Sequence, residues 1–255
     1  MRVHVVSDVH GASDALARAG EGSDLFICLG DLVLFIDYED MSRGIFSQLF
    51  GPQNCAKFVE LRTQGLYQQA REFGNSLWEQ RGGDRRSQLD DEVRKQYAEL
   101  FAAMPDPALL TYGNVDLPSM WPEFVRPGHQ ILDGEVVDVG GIRFGFVGGG
   151  LRTPMRTPFE ITDEQYAAKV EALGQVDVLC AHIPPALPEL TYDTVARRFE
   201  RGSSALLEAI VKTQPSIALF GHVHQPLAKR TRIGKTECMN VGHFRSRQTP
   251  FVLEL

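Results

Sequence analysis

The sequence predicts an α/β fold built on a β-sheet of mixed direction paired with a second sheet, and three observations predict it. Short β-branched or apolar runs recur along the 255 residues, helical patterns separate several of them, and two stretches alternate like hairpins instead. A chain of this length can bury the core of one such domain, so residues 1–255 are read as a single domain with a helical insertion at 41–105.

The runs are RVHVVS (2–7), DLFICLG (24–30), ALLTYG (108–113), IRFGFVG (142–148), VDVLCAH (176–182), SIALFGH (216–222) and PFVLEL (250–255), most of them read as buried strands. Helices are predicted at SDALARAG with Ser13 as N-cap, at DEQYAAKVEALG closing on Gly174, and at SSALLEAIVKTQP stopped by Pro215. Residues 129–148 read as hairpin strands turning at Asp133-Gly134 and Gly140-Gly141, and the tail from Pro226 reads similarly, turning at Ile233-Gly234-Lys235. The insertion at 41–105 is expected to form a cap beside the functional site or a homodimer surface. Its segment AKFVELRTQGLYQQAREFGNSLWEQ reads as one amphipathic helix with Phe58, Leu61, Ala70, Phe73 and Leu77 near one face. The loop that follows carries Arg81, Arg85 and Arg86 and reads as a solvated turn.

A formal charge of −7 disfavours bulk nucleic acid and other polyanionic partners, although a bound metal would reverse the sign locally. No run approaches the length needed to span a bilayer, so no membrane role is expected. The opening MRVHVVSDVHG leaves no room for an export segment before its first chemical motif, which makes the cytoplasm the expected compartment. Cys28, Cys55, Cys180 and Cys238 lack C-x-x-C spacing and read as reduced core thiols.

Chemistry gathers where the strand-like runs end. Asp8 and His10 follow the first run, Asp31 the second, Asn114 the third, His182 the run at 176, and His222 with His224 the run at 216. Open α/β sheets place their binding crevices at such carboxyl ends. Alternate residues of extended backbone project to one side, so the pairs Asp8/His10 and His222/His224 can each serve one site. Oxygen and imidazole donors without thiolate suit manganese, iron, zinc or nickel. Seven donors exceed what one such ion takes, whereas two ions sharing a carboxylate would use them all, with Asp31 as the natural bridge.

In this order the motifs D-x-H, G-D, G-N, H-x-P-P and G-H-x-H resemble the calcineurin-like metallophosphoesterase superfamily, over the chain from Asp8 to His224. The resemblance implies a four-layer αββα sandwich, two mixed sheets face to face with helices outside. It implies two divalent or mixed-valence transition-metal ions, with manganese the first choice in vitro. By it Asp8, His10 and His224 hold the first ion, Asn114, His182 and His222 the second, and Asp31 bridges them. The implied partner is a small phosphate ester, attacked by a hydroxide that the two ions generate at neutral pH. Asn114 contributes a neutral oxygen, which leaves the second ion more electrophilic than a carboxylate would.

The sequence departs from the superfamily pattern at one position, where Val115 replaces the histidine of G-N-H-D/E, a residue thought to assist the leaving group. The departure matches a branch in which phosphodiesters are the usual test substrates, so phosphodiesterase is the first reading. A phosphomonoesterase acting on nucleotides or phosphoproteins is the second, and a metal-binding scaffold of low activity the third. His243 is the one spare histidine in a segment that can return to the site, while His4 reads as structural and His129 as exposed. FVGGGLR lacks the pattern of a P-loop and reads as close backbone approach after a strand, with Arg152 and Arg156 in the loop beyond it.

Overall fold

The computed structural model describes residues 1–255, which form two compact units, Met1–Leu32 with Leu100–Leu255 and Val33–Glu99. The strands are β1 (Arg2–Val6), β2 (Leu25–Cys28), β3 (Ala108–Leu110), β4 (His129–Ile131), β5 (Glu135–Val139), β6 (Ile142–Val147), β7 (Gly150–Leu151), β8 (Glu160–Ile161), β9 (Val178–Ala181), β10 (Tyr192–Asp193), β11 (Arg198–Phe199), β12 (Ile217–Phe220), β13 (Arg230–Ile233), β14 (Thr236–Asn240) and β15 (Phe251–Glu254). The helices are α1 (Ser13–Leu16), α2 (Ile45–Phe50), α3 (Pro52–Thr63), α4 (Tyr67–Arg81), α5 (Arg85–Ala103), α6 (Asp163–Ala172), α7 (Pro188–Thr191), α8 (Ser204–Thr213) and α9 (Phe244–Arg247). None of them is long and apolar enough to cross a membrane.

Two sheets organise the larger unit, a five-stranded one in the order β15-β1-β2-β3-β4 and a six-stranded one in the order β13-β14-β12-β9-β6-β5. Strands β1 to β4 run parallel, with β15 antiparallel at the edge. In the second sheet β6, β9, β12 and β14 run parallel between the antiparallel edges β5 and β13.

Side-chain alternation divides each strand between two faces. Val3, Val5, Ile27 and Leu109 of the first sheet form one cluster with Phe144, Phe146, Val178, Cys180, Leu219 and Met239 of the second, which is the core between the sheets. Tyr166 and Val170 of α6 and Leu206 and Ile210 of α8 pack on Leu179, Ala181, Ala218 and Phe220 from the other face of the second sheet. On the other face of the first sheet His4, Val6, Phe26 and Cys28 are buried, and His4 Nδ1 donates to the Ala19 carbonyl at 2.8 Å, seating the α1 segment there. The result is a four-layer sandwich of two mixed sheets between helical layers.

Local chemistry sets the helix limits. A capping box of Thr162 and Gln165 opens α6, and the Ser203 hydroxyl accepts from the Leu206 N–H to open α8. Helix α8 closes on Gln214 in the left-handed region, just before Pro215. At α1 the N-cap is Ala12 rather than Ser13, which is the first helical residue.

Two further expectations are corrected. Strand β4 extends β3 in parallel at the edge of the first sheet, with Leu110 opposite Ile131, while β5 pairs with β6 in the second, so Asp133-Gly134 carries the chain from one sheet to the other. Only the Gly140-Gly141 turn closes a hairpin there, whereas Gly234-Lys235 closes the expected β13–β14 hairpin. In the smaller unit the segment read as one long helix is two, because Gly65 takes φ +76° and the Leu66 N–H returns to the Leu61 carbonyl. The arginine-rich turn is partly packed, since the Arg85 guanidinium lies 5.1 Å from the Trp78 ring centroid. All four cysteines are buried free thiols.

Packing of α8 on the second sheet sets the first prediction. Ile210 is fully buried while its neighbour Val211 is 57% exposed. Ile210→Ala should destabilise the protein by about 2–5 kcal/mol in urea unfolding. Val211→Ala should stay within about 0.5 kcal/mol of wild type. Equal effects would contradict the burial of one helix face.

Candidate metal centre

Parallel strands of the two sheets end at a common edge, and polar side chains follow the carboxyl ends of five of them. Asp8 lies two residues beyond β1, Asp31 three beyond β2, Asn114 four beyond β3, His182 one beyond β9, and His222 and His224 two and four beyond β12. The chain turns sharply at each exit. Asp8, His10, Asp31 and His222 take φ of 58°, 41°, 55° and 65°, in the left-handed region that side chains other than glycine occupy at a cost of about 1–3 kcal/mol each. Hydrogen bonds between loops hold these turns, from Asp8 N to the Gly30 carbonyl at 3.0 Å, from His10 N to the Asp31 carbonyl at 2.9 Å and from Gly11 N to the Leu32 carbonyl at 2.8 Å.

The loops after β2 and β3 touch backbone to backbone. A Cβ on Gly30 would lie 1.9 Å from the Gly113 nitrogen, and one on Gly113 would lie 2.1 Å from Asp31 Oδ1, so only glycine fits at either position. Asp116 holds the two loops together. Its buried carboxylate accepts the N–H groups of Asp31 at 2.8 Å, Leu32 at 3.0 Å and Gly113 at 2.8 Å. Burial and the neighbouring Asp31 charge push its carboxyl up to about 7, against the lowering effect of the backbone donors. Val115 donates its N–H to Asp31 Oδ1 at 2.9 Å and keeps its side chain half-buried.

With Oδ1 held in this way, Asp31 Oδ2 faces His182 Nε2 at 3.4 Å and His10 Nε2 at 3.9 Å. Asp8 Oδ1 faces His224 Nε2 at 3.4 Å, while Asp8 Oδ2 accepts the His222 N–H at 2.9 Å. His182 is fixed by donating from Nδ1 to the Leu29 carbonyl at 2.9 Å, which leaves Nε2 toward Asp31 and 3.0 Å from Asn114 Oδ1. Three sets of donor atoms each lie within 4.8 Å of one another: Asp31, His182 and His222; Asp8, His10 and Asp31; and His10, His224 and His243. Asp31 belongs to two of them.

The charges are poised for a cation. Burial raises the Asp8 carboxyl, but His224 beside it, with His182 and His10, holds it well below the usual range, and His182 and His10 likewise keep Asp31 lowered against burial. Burial opposes protonation of His182, yet Asp31 drives its imidazole up to about 9. His222 goes the other way, down to about 4, through burial and the charge on His182. Buried Asp8 Oδ1 and His243 Nε2 have no hydrogen-bond partner. Two buried carboxylates, neutral-capable imidazoles, an amide oxygen and orphaned donor atoms fit first-row transition-metal ligation.

All seven residues singled out in the sequence therefore meet at one edge. His243, the spare histidine of the sequence, does return to this edge: it lies three residues beyond β14, stacks on His224 with ring centroids 3.9 Å apart, and joins the His10/His224 set. Its signal was present, because ECMNVGH ends a strand in Gly-His as SIALFGH does. His129, read as exposed, is buried on β4 between the Pro105 carbonyl and Arg126. His4 is structural, as its bond to Ala19 requires. FVGGGLR does approach other backbone closely, since a Cβ on Gly148 would lie 2.8 Å from the Tyr112 nitrogen, and Arg152 and Arg156 are exposed on the following loop.

Residues 1–226 match the profile of the calcineurin-like phosphoesterases. No curated protein matches the sequence. Among solved structures, a protein assigned as a 5'-nucleotidase from Staphylococcus aureus, crystallised with alpha-ketoglutarate, aligns over 94% of this chain at 16% identity with a TM-score of 0.44. The chain covers 48% of the length of that protein.

The imidazole charges set the second prediction. His182 binds a proton below about 9 in the metal-free protein, and coordination needs the neutral ring, so metal and proton compete across pH 7–9. Apparent affinity for Mn²⁺ should therefore rise by about 10-fold or more from pH 7 to pH 8, one proton being worth about 1.4 kcal/mol per pH unit. Calorimetry in buffers of different ionisation enthalpy should record proton release. No release would show that metal binding does not displace protons from the imidazoles.

Proposed function

The chain belongs to the calcineurin-like phosphoesterase family, and from that membership we propose that it is a phosphodiesterase working with two transition-metal ions that share Asp31. The family makes it a metal-dependent hydrolase of phosphate esters. In the proposal Asp8, His10 and His224 hold one ion and Asn114, His182 and His222 the other. When bound, two such ions polarise the phosphoryl group and make water a nucleophile at neutral pH.

The chain's own residues define what surrounds that chemistry. Val115 fixes Asp31 through its backbone N–H, so the loop keeps its geometry whatever side chain stands at 115. The valine side chain itself has no proton to give. His243 does not make good the loss as an imidazolium, because burial and the charge on His224 push it down to about 3, leaving it neutral at pH 7. Asp116 has its carboxylate committed to three backbone donors, so it is not free to act on a leaving oxygen.

The observation that carries the reading is Val115 at the end of Gly113-Asn114. A positioned acid typically contributes 10²–10⁴-fold when an alkoxide leaves. A site without one favours esters whose leaving oxygen departs unprotonated. Together with the resemblance of this departure to the diester-cleaving branch, that selects phosphodiesters with good leaving groups.

The test compares aryl and alkyl phosphodiesters with the matching monoesters on fully metallated protein. Wild-type rates should fall steeply as the leaving-group pKa rises, and diesters should turn over faster than monoesters. Val115→His should flatten that slope and gain about 10-fold or more on the poorest leaving groups. Equal slopes for the two proteins would remove Val115 from the account. Faster monoester turnover would make the protein a phosphomonoesterase, and loaded protein without turnover would make it a scaffold.

A further inference from the structure

We propose that Thr157 and Glu160 are positioning residues that hold the Asn114 amide with its oxygen, not its nitrogen, toward the second metal position. The inference rests on the two-ion reading, in which Asn114 is a ligand. It adds to that reading the device that decides which end of the amide is presented.

An asparagine side chain has nearly the same shape either way round, but only its oxygen can ligate a cation. Asn114 needs something that tells the two ends apart. Its Oδ1 lies 3.0 Å from His182 Nε2, and its Nδ2 donates to Thr157 Oγ1 at 3.0 Å. A threonine hydroxyl alone does not discriminate, since it can donate or accept. Here its single proton is committed, because Thr157 Oγ1 donates to Glu160 Oε1 at 2.8 Å.

Glu160, a carboxylate at neutral pH, can only accept. It takes four donors from its own loop, the Thr153 N–H at 2.7 Å and hydroxyl at 2.6 Å and the Thr157 N–H at 3.1 Å and hydroxyl at 2.8 Å. The polarity of the chain is therefore fixed from its far end. Glu160 accepts, Thr157 donates to it and presents a lone pair, and Asn114 must offer its NH₂ to Thr157 and its oxygen to the centre. A flipped amide would set its oxygen against a hydroxyl oxygen that has no proton left to give.

Backbone contacts keep the loop in register with Asn114. The Phe159 N–H donates to the Asn114 carbonyl at 2.9 Å, and the Gly150 N–H donates to the Phe159 carbonyl at 3.0 Å. A Cβ on Gly150 would lie 2.7 Å from Asn114 Cβ, so glycine lets strand β7 close against the ligand. Thr157 thus meets the amide without relying on loop closure at the moment of metal entry.

Outer contacts of this kind typically change metal affinity by 10–100-fold when removed. The experiment titrates Mn²⁺ calorimetrically into metal-free wild type, Asn114→Ala, Thr157→Val, Thr157→Ser and Glu160→Gln, with thermal unfolding of each metal-free protein as the check on folding. Thr157→Val should weaken the second ion by about 10–100-fold and leave the first unchanged. Thr157→Ser, which keeps the hydroxyl, should return the affinity to near wild type. Glu160→Gln should weaken the second ion less than Thr157→Val, because its amide frees the Thr157 proton to face either way. If Asn114→Ala loses the second ion but Thr157→Val binds both like wild type, the orienting role is overturned and the two-ion reading stands. If Asn114→Ala itself binds both ions normally, the assignment of Asn114 fails and the inference falls with it. Should Thr157→Val not fold, Glu160→Gln decides, and an unchanged second affinity there overturns the proposal.

Discussion

The carboxylate of Asp31 is the interaction on which the centre depends. One oxygen is held by the Val115 N–H, the other faces His182 and His10, and the residue's own N–H is taken by Asp116. The contacts come from three other strand exits, so Asp31 registers the loops after β1, β2, β3 and β9 against one another. The fold makes that meeting possible by running its inner strands parallel in both sheets, which brings their carboxyl ends to the same edge. Glycines at 30 and 113 remove the side chains that would otherwise keep the two central loops apart.

Electrostatics explain why such an edge calls for cations. Two carboxylates are buried among imidazoles, and burial alone would favour their neutral forms. Without metal the compensation comes from protons, with His182 driven up to about 9 by Asp31 and His222 pushed down to about 4 by burial and by the charge on His182. Neighbouring imidazoles cannot all be charged at once, so protons compensate incompletely. Divalent ions supply more charge in the same space and use the neutral rings that protons would occupy. The left-handed backbone at Asp8, His10, Asp31 and His222 is the strain the scaffold sustains to aim these groups.

Much of this was legible because the information is local. D-x-H, G-D, G-N and G-H-x-H each follow a strand-like run, and both strand periodicity and donor type can be read within ten residues. What was not legible depends on pairing at a distance. His243 could be singled out as a spare histidine, but what carries it to the edge is the parallel ladder of its strand to β12, a partner that a hairpin-like tail does not reveal. The same holds for β4, which leaves its neighbour in sequence to pair with β3, and for His129, whose burial follows from that pairing. Asp116 closes the motif beside Val115, and that its carboxylate ties the backbone of two loops together shows only once those loops meet. Thr157 and Glu160 carry no motif, and their role shows only where the chain ahead of β8 folds onto Asn114.

The most direct test of the shared role of Asp31 is electron paramagnetic resonance of the protein titrated with Mn²⁺, combined with metal analysis at saturation. The account predicts two ions per chain with the exchange-coupled signal of a bridged pair, and loss of that coupling in Asp31→Ala. Saturation at one ion per chain, or two ions with no coupling in the wild-type protein, would contradict it.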